Sequence, residues 1–490
     1  MSVSAEAQRP NILLITADQH RGDTWGMGGH PVVQTPNMDW LARSGTTFGR
    51  AYSECPSCVP ARRVLMTGQD PAANGMVGMT AVDWQPEYTL PGELSRAGYQ
   101  TRMIGKLHLE PKRKRYGFDH LELADTQYEY GRGTPARSND YVQWLQEQLG
   151  PADIGPAVAH GVNANSWVGR PSHLPEHLTH TFWCASRAID FLATRDPSSP
   201  FFLNLSFLDP HPPLTPPGHY FQRYMSMDLP EPVIGDWAEE VDPGKGTDPM
   251  GWRVNLDAQT MKQTRAGYYG LINHVDDQIA RVVDFMRHQG LFEDTMIIYT
   301  SDHGEMLGDH NLYRKTFPYE ASARVPLFIR PAQSMGLPEQ VHSSAPVGLQ
   351  DVLPTIFDAA GVPVPDAATG RSLLPIMSGE DNPSWRAYLH GEHAGHYDYD
   401  DGSHFLTDGR YKYIWFSQTG REQFFDLAAD PDEMQDLTLA PESPDLEPWR
   451  AELAARLQNR PGGVVEDGRL VAGRPHDKLL PHHAGPATGF

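Results

Sequence analysis

Three short stretches of this chain carry side chains whose types and spacing could do chemistry. Asp18 and Gln19 follow the apolar run Ile12-Leu13-Leu14-Ile15, and Asp302 and His303 follow the run Met296 to Thr300. Each pair would be delivered to the carboxyl end of a strand, where open α/β sheets collect their functional residues. Oxygen donors from two strand ends, joined by one imidazole, suit a hard or borderline divalent cation. Either pair alone is also what a helix cap or a turn would use.

The third stretch is Cys58-Val59-Pro60-Ala61-Arg62, with Thr67-Gly68 after it. Pro60 fits the first turn of a helix, where its missing N–H costs nothing. Cys58 then stands at the helix N-terminus, where the macrodipole favours developing negative charge. Arg62, four residues on, shares its helical face. Two other readings compete. Cys55-Pro56-Ser57-Cys58 has the Cys-x-x-Cys spacing of redox and zinc sites, although a second ligand pair is missing and Cys184 stands alone. A buried, inert cysteine is the plainer alternative.

The elements that must hold these residues can be read from periodicity. Apolar runs at Ile12 to Ile15, Phe201 to Phe207, Met296 to Thr300 and Pro326 to Ile329 read as strands buried on both faces. Helical patterns lie between them, at Met38 to Ala42, Leu90 to Ala97, Thr181 to Ala193 and Ile272 to Gln289. This alternation predicts an α/β fold with a large, mainly parallel central sheet sandwiched by helices. After the helical segment Leu349 to Ala360 the text turns to Pro, Gly, Asp and Ser, which sets a domain boundary near residue 375. Residues 1–375 form the chemistry-bearing domain. Residues 376–465 are expected to form a smaller domain of antiparallel sheet plus helix, with strands at Ala387 to Leu389, His404 to Thr407 and Tyr411 to Phe416 and a helix at Trp449 to Gln458. Residues 466–490 read as a tail that wraps a partner subunit, which makes a homo-oligomer the expected state.

The 490 residues carry a formal net charge of -22. That disfavours a nucleic-acid partner, whose phosphates need a basic footprint, yet a local basic pocket can still take an anionic substrate. No apolar run reaches membrane-spanning length, so no membrane partner is expected. The N-terminus lacks a basic-then-apolar leader, and three cysteines make no disulfide framework, so a cytoplasmic protein is expected.

Taken in order, these motifs resemble the type I sulfatases of the alkaline phosphatase superfamily. Cys58 to Arg62 with Thr67-Gly68 is similar to the signature whose cysteine is oxidised to formylglycine. Asn11 to Gln19 resembles the family's opening strand, and Thr35-Pro36-Asn37-Met38-Asp39 its first helix. Gly105-Lys106-Leu107-His108 resembles its paired Lys/His motif, and Asp209-Pro210-His211-Pro212-Pro213 its second histidine site. Ser301 to His310, then Lys315, resembles its second metal and lysine segment; Gly348 to Ile356 and Phe424 to Pro431 match further elements. The resemblance runs from Pro10 to Leu437.

It implies an alkaline phosphatase-like fold and hydrolysis of small-molecule sulfate monoesters. One divalent ion, calcium or manganese, would be held by Asp18, Gln19, Asp302, His303 and the modified Cys58, which a formylglycine-generating enzyme must first oxidise. The hydrated aldehyde would attack sulfur. Arg62 and Lys106 would hold that nucleophile, Lys315 would bind a sulfate oxygen, His211 would protonate the leaving group, and His108 would take the proton that releases sulfate. Gln19 and His303 stand where many members carry aspartate and asparagine, which makes manganese plausible beside calcium. Ala61 replaces a commoner serine. The runner-up activity is phosphonate monoester or phosphodiester hydrolysis, against which Lys106 and His108 favour sulfate; promiscuity between the two is expected. An inactive metal-binding homologue would keep Cys58 as a thiol. His390-Gly391-Glu392-His393 with His396 fits no zinc-helix spacing and is expected to line the substrate pocket, His310 to support the lysine loop, and His482-His483 to be tail.

Overall fold

The computed structural model describes residues 9–125, 139–150, 162–163, 165–242, 248–379 and 383–483. Its centre is a sheet of eight strands: β1 (Asn11–Asp18), β2 (Thr46–Phe48), β3 (Gln100–Gly105), β4 (His120–Leu123), β5 (Phe201–Pro210), β6 (Thr295–Ser301), β7 (Leu327–Arg330) and β8 (Val341–Ser343). The spatial order is β4-β3-β5-β1-β6-β7-β2-β8. Neighbours are parallel throughout, except that β7 runs against both β6 and β2.

Alternate residues of each central strand feed two cores, because side chains leave a strand with a period of two. On one face Ile12, Leu14, Met296 and Ile298 meet α2 (Cys58–Thr67), α3 (Leu90–Arg96) and α6 (Val352–Ala360) through Val64, Leu94 and Phe357. On the other, Leu13, Ile15, Ile297 and Tyr299 meet α1 (Pro36–Arg43), α4 (His180–Thr194) and α5 (Ala258–His288) through Leu41, Ala188 and Ile279. Covering both faces explains why the strands are continuous apolar runs.

A second sheet is antiparallel, in the order β9 (Leu389–His393), β10 (Ser403–Thr407), β11 (Tyr411–Phe416), β12 (Glu422–Asp426). Its Leu389, Phe405, Ile414 and Phe425 pack on Tyr52, Met306 and Phe317 of the larger unit. Its other face, with Leu406, Tyr413 and Phe424, packs on α7 (Glu447–Leu457). Across the first of these contacts Lys412, wholly buried, reaches Glu320 at 2.6 Å and Glu433 at 3.0 Å.

The alternating architecture agrees with the periodicity, and the differences have physical reasons. Strand β9 begins at Leu389, where a strand was expected to end; polar His390 and Glu392 hide its pattern. Helix α5 extends fourteen residues before Ile272, through Gly267 and Gly270. A Cβ on Gly267 would sit 2.7 Å from the Leu214 carbonyl, so close approach outweighs helix propensity there. As far as it is described, the tail also runs beside residues 75–77: Leu480 N–H donates to Gly75 O (2.7 Å), and Val77 N–H to Lys478 O (3.0 Å). Residues 1–8 and 484–490, on which the expectations about the N-terminus and the end of the tail fall, lie outside the described residues. No helix of the described residues is long and apolar enough to cross a membrane.

Lys412→Met should cost about 3–5 kcal/mol, because Glu433 loses its buried cation. Burial already pushes the Glu433 carboxyl up to about 7. The folded state therefore holds a proton that the unfolded state releases, and stability falls as pH rises through that range. Urea unfolding should show a larger loss at about pH 8 than at about pH 5. Equal stability of variant and wild type at both would contradict the assignment.

Candidate active site

Four adjacent parallel strands, β3, β5, β1 and β6, end on one edge of the sheet. Each hands a candidate side chain to that edge: Lys106 follows β3, His211 follows β5, Asp18 closes β1, and Asp302 and His303 follow β6. Gly105 allows the first of these. Its φ is 104°, and a Cβ would stand 1.8 Å from the Ser206 carbonyl of β5. Helix α2 begins against the same edge with Cys58, preceded by an extended Ser57 (φ -157°, ψ 153°). Gln19 (φ 70°), His108 (φ 51°), Arg314 (φ 71°) and Thr316 (φ 83°) all hold left-handed backbone conformations next to the site. Such conformations are disfavoured for residues with a Cβ and persist where surrounding structure enforces them.

Donor atoms of Asp18, Cys58, Asp302 and His303, all buried, lie within 4.8 Å of one another. Cys58 Sγ is 3.2 Å from His303 Nε2 and 3.8 Å from Asp18 Oδ1. His303 Nδ1 donates to Gly304 O (2.9 Å), which leaves the Nε2 lone pair facing the cluster. Two carboxylates, an imidazole nitrogen and a sulfur, or the oxygen that would replace it, fit a divalent cation. Arg62 braces the floor: Nε donates to Asp302 Oδ2 (3.0 Å), Nη2 to Asp18 Oδ2 (3.1 Å), and Nη1 to Lys106 O (2.6 Å) and Ser206 Oγ (3.1 Å). Lys106 Nζ is 2.5 Å from Asp18 Oδ2 and 3.9 Å from Cys58 Sγ.

Gln19 stands apart from the four-residue cluster. Its amide oxygen accepts from Lys315 Nζ (2.7 Å), its amide nitrogen donates to Glu305, and its backbone N–H donates to Asp302 Oδ1 (3.1 Å). Lys315 is thus brought to the site through Gln19. His211 donates from Nδ1 to Pro212 O (2.7 Å), which leaves Nε2 as the ring nitrogen able to exchange a proton. His108 is half-buried, and its Nδ1 has no hydrogen-bond partner among the described residues. His310 packs on Trp237 and receives the Gly235 N–H at 3.1 Å, behind the lysine segment.

Charge within the site is strongly redistributed. Against burial, and against Asp18, the cations Lys106 and Lys315 together with His303 pull the Cys58 thiol well below its usual range. Burial and the neighbouring Asp18 push the Asp302 carboxyl up. Against burial, which would raise it, Lys106, His211 and Arg62 hold Asp18 well below the carboxylate range. Burial, then Lys315 and Lys106, hold His211 well below the imidazole range.

Sequence reasoning missed three supports. Asp125 accepts the backbone N–H groups of Leu107 (2.6 Å) and His108 (3.0 Å), fixing the loop that carries Lys106. Glu305 bridges Gln19 and the N–H of Leu307 (3.0 Å). Ser57 Oγ donates to His393 Nε2 (2.9 Å), whose Nδ1 donates to Ala394 O (2.5 Å), tying the start of α2 to β9. Asp125 directly after the run Leu121 to Ala124 was the one visible signal, because a polar residue closing a strand marks the sheet edge.

This arrangement, cations and carboxylates gathered round a cysteine at a strand-end edge, is matched by known proteins. The profile of the Sulfatase family matches residues 10–362, and that of N-sulphoglucosamine sulphohydrolase, C-terminal, matches residues 308–460. The chain belongs to the sulfatase family of hydrolases. It is 38% identical over 484 residues to an arylsulfatase of Clostridium perfringens, covering 96% of this chain and 99% of that one. It is 32% identical to the multifunctional alkaline phosphatase superfamily protein PehA of Trinickia caryophylli, covering 88% and 91%. The phosphonate monoester hydrolase of Agrobacterium radiobacter superposes with a TM-score of 0.72 at 25% identity, covering 95% of this chain and all of that one, so the fold is alkaline phosphatase-like as expected.

Asp302→Ala removes one of two buried carboxylates. Calorimetric titration with manganese or calcium should show affinity at least about ten- to a hundred-fold weaker than wild type. Unchanged affinity for both ions would remove Asp302 from any ion site.

Proposed function

We propose that this chain hydrolyses sulfate monoesters, using Cys58 oxidised to formylglycine as the nucleophile beside one calcium or manganese ion. The observation that carries this reading is Cys58 at a helix N-terminus, against Asp18, His303 and Lys106, in a buried cationic setting. Asp18, Asp302, His303 and the oxygen of oxidised Cys58 would hold the ion, with the Gln19 amide at the rim. Bound there, the ion supplies Lewis acidity that lowers the pKa of the attacking hydroxyl.

The protein's own groups account for the remaining steps. Arg62 and Lys106 hold Asp18 and the nucleophile and offset negative charge as it develops. Lys315, steadied by Gln19, faces a sulfate oxygen. Burial, then Lys315 and Lys106, depress the His211 imidazole, and an anion seated among them offsets the two cations. His211 Nε2 is the group that would give a proton to the departing alkoxide. His108, whose Nδ1 has no hydrogen-bond partner among the described residues, takes the proton from oxidised Cys58 that expels sulfate.

Phosphonate monoester or phosphodiester hydrolysis is the second reading, favoured by the likeness to the phosphonate monoester hydrolase of Agrobacterium radiobacter. Lys106 and His108 at the site support sulfate as the better substrate. On the same reading a formylglycine-generating enzyme acts on the chain before it turns over, and the working form is a cytoplasmic homo-oligomer.

The division of labour is tested by rates against leaving-group pKa. Nitrophenolate departs without full protonation, whereas an alkyl alkoxide does not. His211→Ala should slow alkyl sulfates by roughly a hundredfold or more and aryl sulfates far less. His108→Ala acts after departure, so it should slow both alike and accumulate sulfated enzyme. Wild-type dependence in both variants would overturn these roles, and a higher kcat/KM for an aryl phosphonate monoester than for the aryl sulfate would favour the second reading.

A further inference from the structure

Among the described residues, one other place brings two imidazoles and a carboxylate together: His390, Glu392 and His404. His390 and Glu392 are two apart on β9 and so leave the same face of the sheet. The antiparallel register sets His404 of β10 directly opposite Glu392. His390 Nε2 lies 3.2 Å from His404 Nδ1, and His404 Nδ1 lies 3.9 Å from Glu392 Oε2. Two nitrogens sharing one tetrahedral zinc at about 2.0–2.1 Å stand roughly 3.3 Å apart. The 3.2 Å between the imidazoles matches that span, as it also matches an imidazole–imidazole hydrogen bond, and Glu392 Oε2 at 3.9 Å is within reach of the same ion.

The surroundings hold the three groups in place. The two imidazole rings are near parallel (11°), and His404 also stacks on Trp415 with centroids 5.7 Å apart. Arg460 binds Glu392 Oε1 at 2.5 Å, which turns Oε2 toward His404 and neutralises the guanidinium at the same time. The nearby Arg456 is paired with Glu452 at 2.8 Å. A cavity of about 260 Å³, lined by Glu392, Ser403, His404, Arg460 and His476, opens beside the group. It offers a path for an ion and room for a water as fourth ligand.

We propose a zinc site formed by His390 Nε2, Glu392 Oε2, His404 Nδ1 and one water, pinning the edge strand β9 to β10. Two imidazoles among three protein ligands select zinc over calcium or magnesium. Its role is structural: β9 continues to His393, which accepts from the Ser57 hydroxyl beside Cys58, so a pinned β9 steadies the start of α2. His393 and His396 take no part in it. His393 is engaged by Ser57 and Ala394, and His396 lies exposed beside Lys478.

The test uses the full chain, stripped by chelator and dialysed against zinc, with bound metal counted by elemental analysis. Asp302→Ala weakens the candidate active site and serves as background. In that background the protein should keep one zinc per chain, gain about 2 °C or more in Tm with zinc in excess, and give the visible bands of a tetrahedral ion when loaded with cobalt. Adding His404→Ala, or separately the half-buried His390→Ala, should remove the zinc, the Tm gain and the cobalt bands. Equal zinc content with and without these changes, in folded protein, would leave an imidazole pair only and overturn the site. Should both double variants fail to fold, Cys58→Ala and His303→Ala are added to Asp302→Ala so that the candidate active site holds no ion: tetrahedral cobalt bands that persist support the proposal, and their absence overturns it.

Discussion

Two carboxylates, Asp18 and Asp302, share one buried pocket with almost no exposure to water, and the rest of the site answers the need to balance them. A carboxylate removed from water is costly unless it is paired and hydrogen-bonded. Arg62 reaches both acids at once, Lys106 adds a second cation to Asp18, and His303 stands within 3.8 Å of each. Even so, burial and Asp18 leave the Asp302 carboxyl raised, so the pocket still favours further positive charge. A divalent ion meets that demand directly.

The same field serves reactivity. The cations that balance Asp18 also depress the Cys58 thiol, and the helix start above it points its N–H groups the same way. Charge, strand ends and helix dipole therefore converge on one atom of residue 58. The scaffold cost is visible in the backbone, where Gln19 and His108 accept left-handed conformations to aim their neighbours. The second sheet takes part as well, because His393 of β9 binds Ser57, the residue that precedes Cys58.

Much of this was legible in the sequence, for identifiable reasons. Strands buried on both faces announce themselves as apolar runs, and the polar residues that end them, Asp18 and Asp302, mark the functional edge. Cys58-Val59-Pro60-Ala61-Arg62 spells a helix start with an arginine one turn on, and its likeness to a known signature added the chemistry that spacing alone left open. What stayed hidden were contacts between elements far apart in the chain. Nothing near Gln19 says that its amide is shared by Glu305 and Lys315, and nothing near Leu107 says that Asp125 holds its N–H. His404 pairs with Glu392 only through strand register, which the polar residues of β9 had concealed. Helix α5 lost its first half to two glycines that exist for close packing.

Mass spectrometry of the peptide carrying Cys58, from protein purified out of its native host, tests the central claim most directly. Oxidation at this residue predicts the mass of the aldehyde or its hydrate in a substantial share of molecules, trapped as a hydrazone by a carbonyl reagent. A mixture with the unmodified cysteine still supports formylglycine as the nucleophile. A peptide found wholly as the thiol, in protein that nonetheless turns over sulfate esters, would contradict it.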